Sequence, residues 1–158
     1  MGEIERIVDQ MDRAFSGDAW HGPPLLHLLE DVTAEQAATH PVAGAHSIWE
    51  IANHVAAWNM IVRRRIAGEN VNVTPELDWP QVEETSRVDW QLTLENLKHS
   101  RTRLRGVVQN LPDEKLREQV IGKDYPLYVM LHGLVQHDLY HAGQIAILKK
   151  ALAGGTPP

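Results

Sequence analysis

The chain has 158 residues, no cysteine and a formal net charge of -6. The absence of cysteine excludes disulfides, thiolate metal sites and cysteine nucleophiles, and the acidic balance offers no basic face for nucleic acid. No apolar run approaches the roughly 20 residues that span a bilayer, and the first residues contain no signal-peptide core. We therefore expect a cytoplasmic protein with neither nucleic-acid nor membrane partners.

The first part of the chain predicts one helix, over residues 3–31, that is broken in the middle. Apolar residues recur with a helical period from Ile4 onwards. Residues 16–18 interrupt the pattern, and Pro23 and Pro24 favour a new helix start. His21 lies at the break. A loop histidine is its ordinary interpretation, and a group reaching towards a functional site is the alternative.

The second predicted helix begins at a capping box formed by Ser47 and Glu50. It continues to Ala67, with apolar residues forming a core stripe and His54 along one edge of that stripe. The basic run 63–65 lies near its C-terminus. We interpret this run as a solvated helix end that interacts with the helix dipole, rather than as a phosphate site.

Two further helices follow a loop. Residues 70–80 contain two prolines and predict a long loop. A third helix is expected from about Val82 to Asn110, and a fourth begins at Pro126. Arg101 lies on the inward stripe of the third helix, where it either extends to solvent along its apolar stem or pairs with Asp138 of the fourth.

This pattern predicts an all-α protein. Four amphipathic helices without convincing strand alternation are typical of a four-helix bundle. The chain is long enough for one domain with a substantial core. We expect residues 1–153 to form that domain and residues 154–158 to form a flexible C-terminal tail.

The fourth helix carries the strongest functional signal. His137 and His141 are four residues apart, so both rings face the same side of the helix. Two nitrogens so placed can bind one metal ion. A single hydrogen-bonded core histidine is the alternative, but a pair beside the carboxylate of Asp138 favours ligation. His54, which alone would be interpreted as structural, becomes the candidate for a third ligand.

The surroundings of these histidines suggest further roles. Glu50 and Asp138 are candidates to orient a ring nitrogen of a ligand histidine by accepting a hydrogen bond. Tyr140 is adjacent to the ligands in sequence, but we expect it on a different face of the helix. No catalytic residue besides the metal ligands is assigned.

Three stretches resemble the DinB-like superfamily: residues 44–50 (GAHSIWE), 54–58 (HVAAW) and 131–145 (LHGLVQHDLYHAGQI). The resemblance implies a four-helix bundle of up-down-down-up connectivity. It also implies one divalent metal ion, held by His54, His137 and His141. Relatives include thiol-dependent transferases and isomerases that use bacillithiol, mycothiol or glutathione-like cofactors, and many are described as metal-dependent hydrolases. Members often form homodimers, and the family name does not imply DNA binding.

The leading hypothesis is a metal-dependent enzyme that acts on a small molecule, either a thiol S-transferase or a hydrolase. Zinc and nickel both suit imidazole ligands, and a low-molecular-weight thiol would be the second substrate of a transferase. The alternatives are a metal-binding stress protein without turnover and a helical dimerisation module with structural histidines. A homodimer is expected because Val88, Leu92 and Val107 lie away from the inward stripe of their helix.

Overall fold

The computed structural model describes residues 1–154 as helices joined by turns and loops. The helices of this part are α1 (Glu3–Phe15), α2 (Leu25–Leu29), α3 (Ala34–Ala38), α4 (Ile48–Ile66), α5 (Pro75–Asp78), α6 (Arg87–Val108) and α7 (Leu127–Gly154), with a 3-10 helix at Asp113–Arg117. No β-strand occurs in residues 1–154, apart from an isolated bridge between Gln119 and Pro126. The expected all-α class is confirmed. The remainder of the predicted tail, 155–158, lies outside the described residues.

The predicted break in the first helix is present. Helix α1 ends where the backbone N–H groups of Ser16 and Gly17 both donate to the Asp12 carbonyl, at 3.0 and 2.8 Å. The chain then continues without helix until Pro24, the N-cap residue of α2. Proline suits a helix start because its missing N–H would have had no partner within the helix.

The capping box predicted for the second long helix forms as expected. The Ser47 hydroxyl accepts a hydrogen bond from the Glu50 N–H at 3.2 Å, and the Glu50 carboxylate accepts one from the Ser47 N–H at 2.7 Å. These two bonds satisfy donors that would otherwise lack partners at the start of α4. At the other end, Gly68 adopts a φ of 89°, a left-handed conformation that favours glycine after a helix.

The start of α6 and the loop before it differ from the prediction. Helix α6 begins at Arg87 rather than near Val82, because the Ser86 hydroxyl caps it by accepting from the Asp89 N–H at 3.2 Å. The predicted loop 70–80 contains the short helix α5, which Thr74 caps by accepting from the Leu77 N–H at 3.3 Å. A single turn of four residues is too short to show a helical period in the sequence.

The four long helices surround the core. Helix α4 packs against α6 and α7, and α1 contacts the same two helices. One apolar cluster includes Trp49, Leu97 and Ile145, and a second includes Met11 and Leu131. The apolar stripes of the long helices therefore face inward, and the few polar groups among them need partners.

A buried ion pair connects α6 and α7. Arg101 is 3% exposed and Asp138 is fully buried. Their side chains form a hydrogen-bonded ion pair, and the Arg101 Cζ lies 4.6 Å from the Phe15 ring centroid. Burial raises the pKa of the Asp138 carboxyl, and the Arg101 guanidinium opposes that shift. The pairing predicted as one alternative is confirmed, and the interpretation of Arg101 as solvent-directed is wrong.

We predict that Arg101 and Asp138 are energetically coupled. Arg101→Met or Asp138→Leu alone leaves a buried charge without its partner, so each should lower the free energy of unfolding by about 3–5 kcal/mol. The double variant removes both charges and should lose much less than the sum of the two. Urea denaturation of the four proteins measures this coupling, and additive losses would contradict it.

Candidate metal centre

Three histidines from two helices meet at one point. His54 lies on α4, and His137 and His141 lie one turn apart on α7. The Nε2 atom of His137 is 2.9 Å from Nε2 of His54 and 3.1 Å from Nε2 of His141. His54 and His141 are buried and His137 is half-buried. The three residues selected from the sequence are thus brought together.

Hydrogen bonds on the opposite side of two rings fix their orientation. Nδ1 of His54 donates to the Asp78 backbone carbonyl at 2.7 Å, and Nδ1 of His141 donates to Gln144 Oε1 at 2.6 Å. A carbonyl oxygen only accepts, so Nδ1 of each ring carries the proton and Nε2 carries a lone pair. Both lone pairs therefore point into the cluster, as in metal-binding histidines oriented by an outer hydrogen bond.

The geometry fits a divalent metal ion. Two tetrahedral bonds of about 2.0–2.1 Å to one ion place their nitrogens about 3.3 Å apart. The observed separations from His137 Nε2 to its two neighbours are 2.9 and 3.1 Å, close to that value. Nitrogen lone pairs at such distances repel one another unless a proton or a cation lies between them. The donor set and its spacing therefore suit a cation bound by three imidazoles.

The protonation states favour metal binding. Burial lowers the pKa of His137 to about 3, with the neighbouring imidazoles adding to the effect. Burial also lowers the pKa of His141 to about 4 and lowers the pKa of His54. All three rings are therefore neutral near pH 7, and only the neutral imidazole can bind a metal.

Tryptophan rings support the His54 imidazole. Trp79 stacks between two histidines, with ring centroids 3.9 Å from His54 and 3.5 Å from His46. Trp58 Nε1 donates to the Asp78 carboxylate at 2.8 Å. Because Asp78 ends α5 and Trp79 follows it, this short helix holds both the aromatic ring and the carbonyl that orient His54.

The histidines form part of the wall of a cavity of about 470 Å³. The wall is mostly apolar, with contributions from Trp58, Val62, Met130 and Leu134, and its polar residues besides the histidines are Arg65, Asp78, Tyr125 and Tyr140. An apolar cleft with a few converging polar groups is typical of a small-molecule site.

Several roles expected from the sequence are assigned differently by the structure. Glu50 contacts the rings of His40 and His46, at 3.0 and 3.3 Å, and not the three-histidine cluster. Asp138 pairs with Arg101 instead of orienting a ligand ring. Tyr140 was expected on a different face, but it lines the same cavity as the histidines.

The structure also bears on the predictions for the basic run 63–65 and for His21. The run 63–65 is not uniformly solvated, because Arg65 is only 5% exposed. His21 is an exposed residue outside the three-histidine cluster.

Neither of the two residues that orient the ligand rings, Asp78 and Gln144, was predicted from the sequence. Gln144 follows His141 by three residues on the same helix, so its role could have been inferred from spacing. Asp78 acts on His54 through a backbone carbonyl, for which the side-chain pattern gives no signal.

Comparison with known proteins identifies the family. The family model described as the DinB superfamily matches residues 20–145, most of the chain. The chain belongs to the DinB superfamily. The matched range contains all three clustered histidines. Neither the curated proteins nor the solved structures include a significant match to this DinB superfamily member.

A helix can cross a membrane only if it is long and apolar enough. Across residues 1–154, none of the helices combines the length and the apolar character that crossing a bilayer requires.

We predict that His137 and His141 remain neutral in the metal-free folded protein well below the ordinary imidazole pKa of about 6.5. Because burial depresses both values, to about 3 and about 4, the unfolded chain binds protons that the folded chain does not. Folding stability should therefore fall as the pH decreases from about 6.5 towards these values. Imidazole NMR at pH 5 should show both rings neutral, and titration of either near pH 6.5 would contradict the burial argument.

Proposed function

We propose that this DinB superfamily member is a metal-dependent enzyme that acts on a small molecule. The observation that carries the proposal is the convergence of three neutral imidazoles on one wall of an apolar cavity. A structural zinc site is normally closed by four protein ligands, whereas a catalytic site has three and leaves a position open. The three-histidine set beside a ligand-sized space supports the catalytic type.

Different residues would bind the metal ion, orient its ligands and exclude water. His54, His137 and His141 would hold one divalent ion, zinc or nickel. Asp78 and Gln144 would keep the rings of His54 and His141 oriented. The bound ion would supply Lewis acidity, lowering the pKa of a water or thiol at its open position. The apolar wall around Trp58 would exclude bulk water from that position.

Thiol transfer is the first candidate reaction. With no cysteine in the chain, any reacting thiol must come from a low-molecular-weight second substrate, and no protein thiol competes for the metal. Hydrolysis by a metal-activated water is the second candidate, because the same open position suits either nucleophile. A metal-binding protein without turnover is the non-enzymatic alternative.

We propose that the four long helices form an up-down-down-up bundle comprising a single domain of residues 1–153. The contacts of α1 and α4 with both α6 and α7 support this arrangement.

We also propose a cytoplasmic homodimer. Val88 and Leu92 are 63% and 56% exposed, which supports an interface; a monomer mass by light scattering at micromolar concentration would contradict it.

Metal binding is predicted to depend on the three histidines. His137→Ala or His141→Ala should abolish tight binding of one zinc or nickel ion per chain, because two nitrogens remain. His54→Ala should be nearly as severe. The exposed His99 provides the matched control, and His99→Ala should bind like the wild type. Metal analysis after dialysis measures the stoichiometry. Stoichiometric metal in the triple alanine variant would contradict the site.

The orienting hydrogen bond of Gln144 should contribute to metal affinity. Gln144→Ala removes the acceptor for His141 Nδ1, and loss of such an outer partner typically weakens metal affinity about 10–100-fold. Gln136→Ala, at an exposed position on the same helix, is the matched control and should leave affinity unchanged. Competition titration against a chromophoric chelator measures both. Equal affinities for the two variants would remove Gln144 from the site.

The enzymatic proposal is tested by turnover of the metal-loaded protein. Low-molecular-weight thiols are offered with an electrophile in one series, and simple esters and amides are offered in another. Turnover should be lost with a chelator, return with zinc or nickel, and be absent in His141→Ala. A metal-loaded wild type that turns over neither series would favour the non-enzymatic alternative.

A further inference from the structure

Arg65, in the last turn of α4, is a buried cation without an anionic partner. It is 5% exposed, and no carboxylate among residues 1–154 lies within ion-pair distance of it. A buried charge is costly when nothing neutralises it. The other buried arginine, Arg101, is neutralised by Asp138. The chain therefore neutralises one buried guanidinium and leaves the other unneutralised.

The groups that hold Arg65 are all neutral. Its Nη1 donates to the Tyr125 hydroxyl at 3.2 Å, and its Nη2 donates to the Val71 carbonyl at 3.4 Å. Its Cζ lies 5.5 Å from the centroid of the Trp58 ring, and its Nε has no hydrogen-bond partner. A guanidinium has five N–H donors. Two are used by these neutral acceptors, so the side chain is positioned while its charge remains available.

Arg65 lines the same cavity as the three histidines. His54, Trp58 and Arg65 follow one another on one face of α4, at steps of four and seven residues. The Trp58 ring centroid is 6.3 Å from that of His54 and 5.7 Å from that of His137. The guanidinium therefore lies one indole ring away from the histidine cluster.

We infer that Arg65 and Tyr125 form a subsite for the carboxylate of a small-molecule ligand whose other end reaches the three histidines. The planar guanidinium matches a carboxylate and can donate two parallel hydrogen bonds to it. Tyr125 accepts from Arg65, which leaves its own O–H free to donate to the same anion. The apolar surface of Trp58 and Val62 between the two ends suits a hydrocarbon linker.

This inference rests on the proposed function only for the reactive end of the ligand. It narrows the substrate class to small carboxylic acids, in which an apolar segment separates the carboxylate from the reacting group. The carboxylate end depends on Arg65 and Tyr125 alone, so it can be tested without any metal.

The test uses 3-phenylpropionate and its neutral counterpart 3-phenylpropionamide as probes. Isothermal titration calorimetry measures both dissociation constants for the full chain, once metal-loaded and once treated with chelator. The wild type should bind the carboxylate about tenfold more tightly than the amide in both forms, a preference typical of one charge-assisted hydrogen bond. Inorganic phosphate is added in a competition arm.

Three variants test which residues cause the preference for the carboxylate over the amide. Arg65→Met should abolish it, and Tyr125→Phe should reduce it about threefold, because one neutral donor is lost. Arg103→Met, at an exposed position on α6, is the matched control and should retain it. Near-ultraviolet circular dichroism checks folding. If Arg65→Met does not fold, an unchanged preference in Tyr125→Phe would overturn the subsite.

The remaining outcomes separate this subsite from the metal site. Equal binding of acid and amide by the wild type would overturn the inference, and so would a preference that survives Arg65→Met. A preference seen only with metal and retained in Arg65→Met would assign the carboxylate to the metal, leaving the proposed metal site intact. Stronger displacement by phosphate than by a second carboxylate would overturn the carboxylate class.

Discussion

Three imidazole nitrogens that meet at one point are the feature on which this structure's chemistry depends. Hydrogen bonds from the outer nitrogens of His54 and His141 turn their Nε2 atoms inward, and burial lowers the pKa values of His137 and His141, so both rings stay neutral near pH 7. A cation at this point would accept the Nε2 lone pairs of all three rings. A helical fold that maintains it is preorganised for a metal, because the rings need little rearrangement on binding.

The fold provides this preorganisation through a short segment outside the long helices. Helix α5 spans only Pro75–Asp78. Yet the carbonyl of Asp78, its carboxylate and the adjacent Trp79 ring all hold residues of the site in place. Meanwhile the Arg101–Asp138 pair joins α6 to α7 beside His137. The site therefore depends on one core ion pair and one surface turn, and each can be altered without removing a metal ligand.

The sequence predicts the parts of this site that follow from helical periodicity. His137 and His141 share a face by spacing, and Arg101 and Asp138 are inward by their place in the stripes. The role of Asp78 in orienting His54 could not be predicted, because it uses a backbone carbonyl from the short helix α5, 24 residues away in sequence. The burial of Arg65 was missed because a basic run at a helix end resembles a solvated one; only the packing of Tyr125 and Trp58 distinguishes it.

The most direct test of the metal centre is X-ray absorption spectroscopy of the zinc-loaded protein. We predict three imidazole nitrogens at about 2.0–2.1 Å from the zinc, with the outer-shell scattering typical of histidine rings, and at least one further light-atom ligand. Addition of a low-molecular-weight thiol should introduce a sulfur at about 2.3 Å if thiol transfer is the reaction. A spectrum with one imidazole or none would contradict the three-histidine centre.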